Sequence, residues 1–175
     1  MKRHLFFGFA ILAFFTSLAI AQGDAELERL DEKFSRHLQN RLPGWKHERG
    51  EPIQGSKNVL IQYWSYQNRR IKIAITPLKS AEEARDNMKD FPTNERTAEE
   101  LKGFGDQAFA WGYAGSRIYF RKGRFVVFVS TYAEVDSDPD AKSLSRSDKA
   151  DRERSEMRRL SREFAQHMVS AIDLP

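Results

Sequence analysis

The sequence predicts an α+β domain: a mostly antiparallel sheet of five or six strands with an N-terminal helix, a middle helix and a long C-terminal helix. Three observations carry this. Apolar residues recur at helical spacing near both ends of the chain, through Leu27, Leu30, Phe34 and Leu38 and again through Met157, Leu160, Phe164, Met168 and Ala171. Between them, several stretches alternate with the two-residue period of a strand. The strands are joined by turns too tight for a crossover, such as Asn68-Arg69 and Lys122-Gly123, so neighbours run antiparallel.

The chain opens on Lys2, Arg3 and His4, an apolar run from Leu5 to Ile20, and Ala19-Ile20-Ala21, the small-x-small pattern of a signal peptidase site. Residues 1–21 are expected to be a secretory signal peptide. The run is short for a membrane helix, which takes about 20 apolar residues. Cleavage would leave a single α+β domain over 22–175 with no membrane span. Its first helix is expected from about Ala25 to Arg41, stopped by Pro43-Gly44. An edge strand follows over Trp45–Ile53, weakened by Gly50 and Pro52.

The next strand, Asn58–Gln67, sets Val59, Ile61 and Tyr63 on one face and Leu60, Trp64 and Tyr66 on the other. Arg70–Thr76 alternates cleanly, with Ile71, Ile73 and Ile75 inward. Ser80-x-x-Glu83 is a capping box that opens the middle helix, which runs to Phe91 before Pro92. A second box, Thr97-x-x-Glu100, predicts a short helical turn closed by Gly103. Strands follow over Gln107–Tyr113, Ser116–Arg121 and Phe125–Ala133. The last is apolar on both faces, which predicts a central strand or a second face that something covers. A polar loop from Glu134 to Arg146 precedes the C-terminal helix, Asp148–Ile172. The helices are expected to pack on one face of the sheet.

Composition bounds the function. The formal charge is +4, with 29 Lys and Arg against 25 Asp and Glu; removal of Lys2 and Arg3 lowers it to +2. So balanced a chain offers no concentrated basic stripe for nucleic acid. There is no cysteine. Disulfides, thiolate catalysis, cysteine-bound metals and bacterial lipoprotein anchoring are excluded. A disulfide-free exported domain fits a bacterial envelope, so the expected location is periplasmic or secreted.

Few residues suggest chemistry. Gly103-Phe104-Gly105-Asp106-Gln107-Ala108-Phe109, returning on Arg121-Lys122-Gly123-Arg124, resembles the Gly-x-Gly-Asp-Glu/Gln-Ala-aromatic hairpin of uncharacterised exported bacterial proteins, some PsbP-like and others sensor or lipoprotein domains. Gln107 replaces the commoner acid. The resemblance implies an antiparallel sheet in the envelope and no reaction. Read from the residues, the glycines shape a turn in which Asp106 accepts backbone N–H groups. The stretch lacks the Gly-Lys-Ser/Thr ending of a phosphate loop. Asp136, Asp138 and Asp140 alternate as calcium ligands do, but Ala141 stands where a Gly is needed and Ser147 where a Glu is needed. His37, His47 and His167 have no metal-ligand spacing and read as core-boundary residues. No spacing among Glu48, Glu51 and Asp106 singles out a glycosidase pair. Arg154, Arg158 and Arg162 line one face of the last helix among glutamates, which predicts i,i+4 pairs such as Arg159 with Glu163. No cofactor and no metal are expected.

The aromatics are the functional candidates. Trp64, Tyr66, Trp111, Tyr113, Tyr119, Phe128 and Tyr132 are expected on strand faces turned away from Ile61 and Ala110, which are expected on the helix-packed side. Clustered there, they would form a ligand pocket or an interface; covered, they would be a second small core. The expected function is a non-enzymatic ligand- or partner-binding domain, with a homodimer or an envelope protein as partner. The alternatives are an exported hydrolase with scattered catalytic residues, and a structural envelope component.

Overall fold

The structure is a computed structural model that describes residues 8–51, 58–95, 97–136 and 138–174, with side chains from Ala25 onward. Helix α1 spans Gly8–Arg41. It begins well before the expected Ala25. The stretch between is rich in alanine, leucine and phenylalanine and contains no proline, so nothing breaks the hydrogen-bond ladder there. Leu27, Phe34 and Leu38 are buried along one stripe, and the Leu42 N–H closes on the Leu38 carbonyl at 2.8 Å before Pro43 ends the helix.

Among the described residues seven strands form one antiparallel sheet: β1 (Lys46–Gly50), β2 (Leu60–Tyr66), β3 (Arg69–Pro77), β4 (Glu99–Glu100), β5 (Gln107–Trp111), β6 (Arg117–Lys122) and β7 (Phe125–Ala133). Their spatial order is β1-β2-β3-β7-β6-β5-β4. The α+β class, the antiparallel sheet and the long C-terminal helix are as the sequence predicts, with one strand more. β7 lies at the centre between β3 and β6, which accounts for its two apolar faces. The proposed edge strand is shorter than expected, and residues 52–57 of that stretch lie outside the described residues.

Helix α4 (Arg146–Asp173) is capped by Ser145, whose hydroxyl accepts the Asp148 N–H at 3.2 Å. It packs with α1 on one face of the sheet. Register puts Leu60, Ile75, Val127, Phe120 and Ala108 in one row across five strands on that face, all buried. Met157, Leu160, Phe164, Met168 and Ala171, the stripe read from the sequence, are buried against them. Fully burying side chains of this size stabilises by about 1.5–3 kcal/mol each.

The helices do not share one face. Helix α2 (Ala81–Met88) lies on the other side, over β6 and β7, with Ala84 and Met88 buried against Phe109 and Val126. The Ser80 cap forms, its hydroxyl accepting the Glu83 N–H at 3.1 Å, while Glu83 reaches one residue past the cap to accept the Lys79 N–H at 2.9 Å. Phe91 starts a separate turn, α3 (Phe91–Asn94), because Pro92 fits the first turn of a helix, where its missing N–H is not needed. The second box does not form. Glu99 and Glu100 pair with Ala110 and Phe109 as β4, so a ladder takes the backbone groups that a helical turn would use. The β2–β3 turn falls at Gln67-Asn68, one residue earlier than expected, with Gln67 at φ +48°.

Candidate functional site

The structure divides the aromatic set. Trp111, Tyr119 and Phe128 do lie on the face away from α1 and α4, but α2 and α3 cover them. Phe91 inserts among them, with ring centroids 4.7 Å from Trp111 and 5.0 Å from Tyr119, and Trp111 lies 5.6 Å from Phe128. The Tyr119 hydroxyl donates to Asn87 at 2.8 Å, and burial pushes its pKa up. This is a second small core.

Trp64 and Tyr66 face the helices instead. Trp64 is fully buried, 6.3 Å from Phe164 by ring centroid, while Ile61 takes the opposite face. The reason is register: Trp64 stands beside Ile71, so it joins the Ile71–Ile73–Ile75 face. Tyr66, near the strand end, lies 5.8 Å from Trp45. Tyr113 is exposed in the turn after β5 and accepts from Arg154 at 3.0 Å. Tyr132 alone of the seven faces an open surface on the outer side.

That surface is a recess of about 830 Å³ on the half of the sheet that α2 leaves bare, over β1, β2, β3 and β7. Cross-strand pairing sets its floor. Arg70 lies between Ser65 on β2 and Tyr132 on β7; Lys72 lies between Tyr63 on β2 and Ser130 on β7. Lys46, beside Ser65, adds a third cation at the β1 edge, and Glu48 beside Tyr63 is the one acid in the lining. Tyr63 and Tyr132 are 43% and 55% exposed. Among the described residues none of the three cations has an ion pair or a side-chain hydrogen bond. Arg70 and Lys72 stand two positions apart on one face, about 6.6 Å by strand rise. They repel by about 0.6 kcal/mol at the dielectric constant of water, and by more where the recess restricts solvent.

Several charged groups elsewhere are partnered. Arg69 forks onto Asp138 with both bonds at 2.8 Å and reaches Glu156 at 3.3 Å, which holds both carboxyls below their usual range. For Glu156 the first cause is its bond from Arg159. Asp140 pairs with Arg152 and Asp136 with Lys149, so these aspartates form salt bridges across the loop. Among the described residues no cluster fit for a metal occurs. Arg159 binds Glu163 at 2.6 Å, as the i,i+4 spacing predicts.

His47 lies against Asp31 of α1, with Nε2 3.5 Å from the carboxylate, and its ring is 4.7 Å from that of Trp64. Asp31 also accepts the Gln62 amide at 2.7 Å, and Gln62 accepts the Trp64 indole N–H at 3.3 Å. Buried Gln62 is thus satisfied within the core. Among the described residues no hydroxyl is hydrogen-bonded to the His47 ring, so the pair lacks the third member of a nucleophile–base–acid chain. His37 and His167 face each other between α1 and α4 at 6.3 Å, both with pKa lowered mainly by burial.

No family model matches this chain. Nor does any curated protein match it in sequence, or any solved structure in fold, at a significant level. The recess therefore stands on its own geometry. Its cations escape a motif search because Lys46 is on a short edge strand and Arg70 and Lys72 read only as the polar partners of three isoleucines. The signal available was their shared face: two cations at i and i+2 on one strand.

Proposed function

We propose that this chain is an exported, non-enzymatic binding domain of the bacterial envelope, and that its ligand or partner occupies the recess over β1, β2, β3 and β7. The observation that carries the reading is the row of cations, unpaired among the described residues, beside two exposed tyrosines on the half of the sheet that α2 leaves bare. Tyrosine and arginine are among the residues that binding surfaces concentrate. The volume suits a small ligand or one stretch of a polymer.

Export rests on the basic start, the apolar run and Ala19-Ile20-Ala21. The placement of the core is compatible with cleavage. Among the described side chains the first buried one is Leu27, so cutting between Ala21 and Gln22 leaves every described core contact in place. N-terminal sequencing of protein from the envelope fraction is expected to begin at Gln22; an intact Met1 there refutes cleavage.

Binding is tested by lysine footprinting of the intact protein. Envelope extract is expected to protect Lys46 and Lys72 from acylation and leave Lys89 and Lys142, outside the recess, unchanged. Equal labelling of all four, with and without extract, refutes the site.

A further inference from the structure

The recess carries more than charge. Each of its two central cations sits between one serine and one tyrosine, in opposite order: Ser65–Arg70–Tyr132 in one row, Tyr63–Lys72–Ser130 in the next. The result is two adjoining subsites, each with a cation, an aliphatic hydroxyl and a phenol. We infer that they bind an acidic polysaccharide, one carboxylated sugar on Arg70 and a second acidic group on Lys72, with sugar faces laid against Tyr63 and Tyr132. This rests on the binding reading above and names its ligand.

The chemistry selects that class. A carboxylate is planar and takes two parallel bonds from a guanidinium fork such as Arg70. Serine and tyrosine hydroxyls both donate and accept, which suits a chain of hydroxyl groups. The phenol rings offer flat apolar area with a polar edge. Glu48, beside Tyr63, offers an acceptor for a sugar hydroxyl at the rim. An acidic peptide fits less well: over Arg70 and Lys72 the backbone groups of β2, β3 and β7 are engaged in the sheet, so a peptide strand could pair only along β1, at the rim. A lipid surface fits less well too: Arg70 is exposed and Lys72 half-buried, and both stand among hydroxyl groups and not on a protruding apolar face.

Titration of the intact protein with polygalacturonate, neutral dextran, polyglutamate and phosphatidylglycerol vesicles tests this. Polygalacturonate is expected to bind best, more weakly as salt is raised. Arg70→Gln and Lys72→Gln should each weaken it by about tenfold or more. Tyr63→Ala and Tyr132→Ala should weaken polygalacturonate but leave any residual polyglutamate binding unchanged. All four positions are on the solvent side of the sheet, and circular dichroism checks that each variant is folded. Equal or tighter binding of dextran, polyglutamate or vesicles overturns the inference, as does polygalacturonate binding that the four variants leave intact. If polygalacturonate fails while envelope extract still protects Lys46 and Lys72, the sugar-acid ligand is wrong and the binding site stands. If protection is absent as well, both fall.

Discussion

Replacing Trp64 by alanine tests the side of the sheet on which the fold depends. The indole is fully buried, with Phe164 of α4 on one side and His47 of β1 on the other, so it links the C-terminal helix, the sheet edge and α1. Removing a buried aromatic costs about 3–5 kcal/mol in lost transfer energy and residual cavity. A second cost follows. Gln62 is completely buried, and its carbonyl accepts the Trp64 N–H at 3.3 Å. Without that donor a buried acceptor is left unsatisfied, at about 1–3 kcal/mol. The sum is a large share of the 5–15 kcal/mol that keeps a typical domain folded. Trp64→Phe keeps most of the ring and loses the hydrogen bond, so it should cost clearly less. Urea unfolding followed by circular dichroism measures both. A Trp64→Ala loss below about 1.5 kcal/mol refutes the buried placement, and a Trp64→Phe loss below about 0.5 kcal/mol refutes the role of the indole hydrogen bond.

The His37–His167 contact predicts acid sensitivity. Burial lowers both pKa values from the usual 6.5, helped by Arg41 and, for His37, by His167; Glu163 opposes this at His167. The unfolded chain then binds more protons just below pH 6.5, so stability is complete above that pH and falls as pH drops through the lowered values. Urea midpoints should fall between pH 7.5 and 5.5 more steeply in the wild type than in the His37→Gln, His167→Gln double variant; equal slopes refute the contribution. Arg69→Met leaves Asp138, which is 9% exposed, with Arg152 at 3.6 Å in place of the two-bond fork, and should cost about 3 kcal/mol; a change under about 1 kcal/mol in the same melts means that the fork is not structural. Gly105→Ala places a methyl 2.4 Å from the Arg121 carbonyl oxygen at φ +75°, whereas at Gly103, φ +82°, the methyl meets nothing within 4 Å. Gly103→Ala should cost about 1 kcal/mol from backbone strain alone and Gly105→Ala clearly more; the reverse order refutes the close approach.

Periodicity made the helices and most strands legible, because an amphipathic stripe is a local property. The α4 stripe and the β3 alternation needed no tertiary information. β2 was different. Leu60 and Ile61 are both buried, one under the helices and one on the outer face, so alternation along β2 could not say which side was which. Only pairing with β3 decides it, and that is a non-local fact. The Thr97 box failed for a related reason: a local signal for a helical turn lost to the ladder with β5. The candidate recess was the least legible part. Its residues come from four strands and are ordinary polar side chains individually; their meaning lies in which rows they share.

Strand order has a consequence for how this molecule assembles. β1-β2-β3 and β4-β5-β6-β7 are two meanders of neighbours in sequence, joined along a single seam where Arg69 to Pro77 pair with Phe125 to Ala133. Each meander can zip locally, but the seam must first close a long loop, the kind of contact that makes folding slow, in the millisecond-to-second range. Both subsites straddle the seam, since Ser65 and Tyr63 come from one meander and Tyr132 and Ser130 from the other. Neither half holds a complete subsite. Ligand affinity should therefore appear only at the last step of folding, and its time course in a refolding experiment would report seam closure directly.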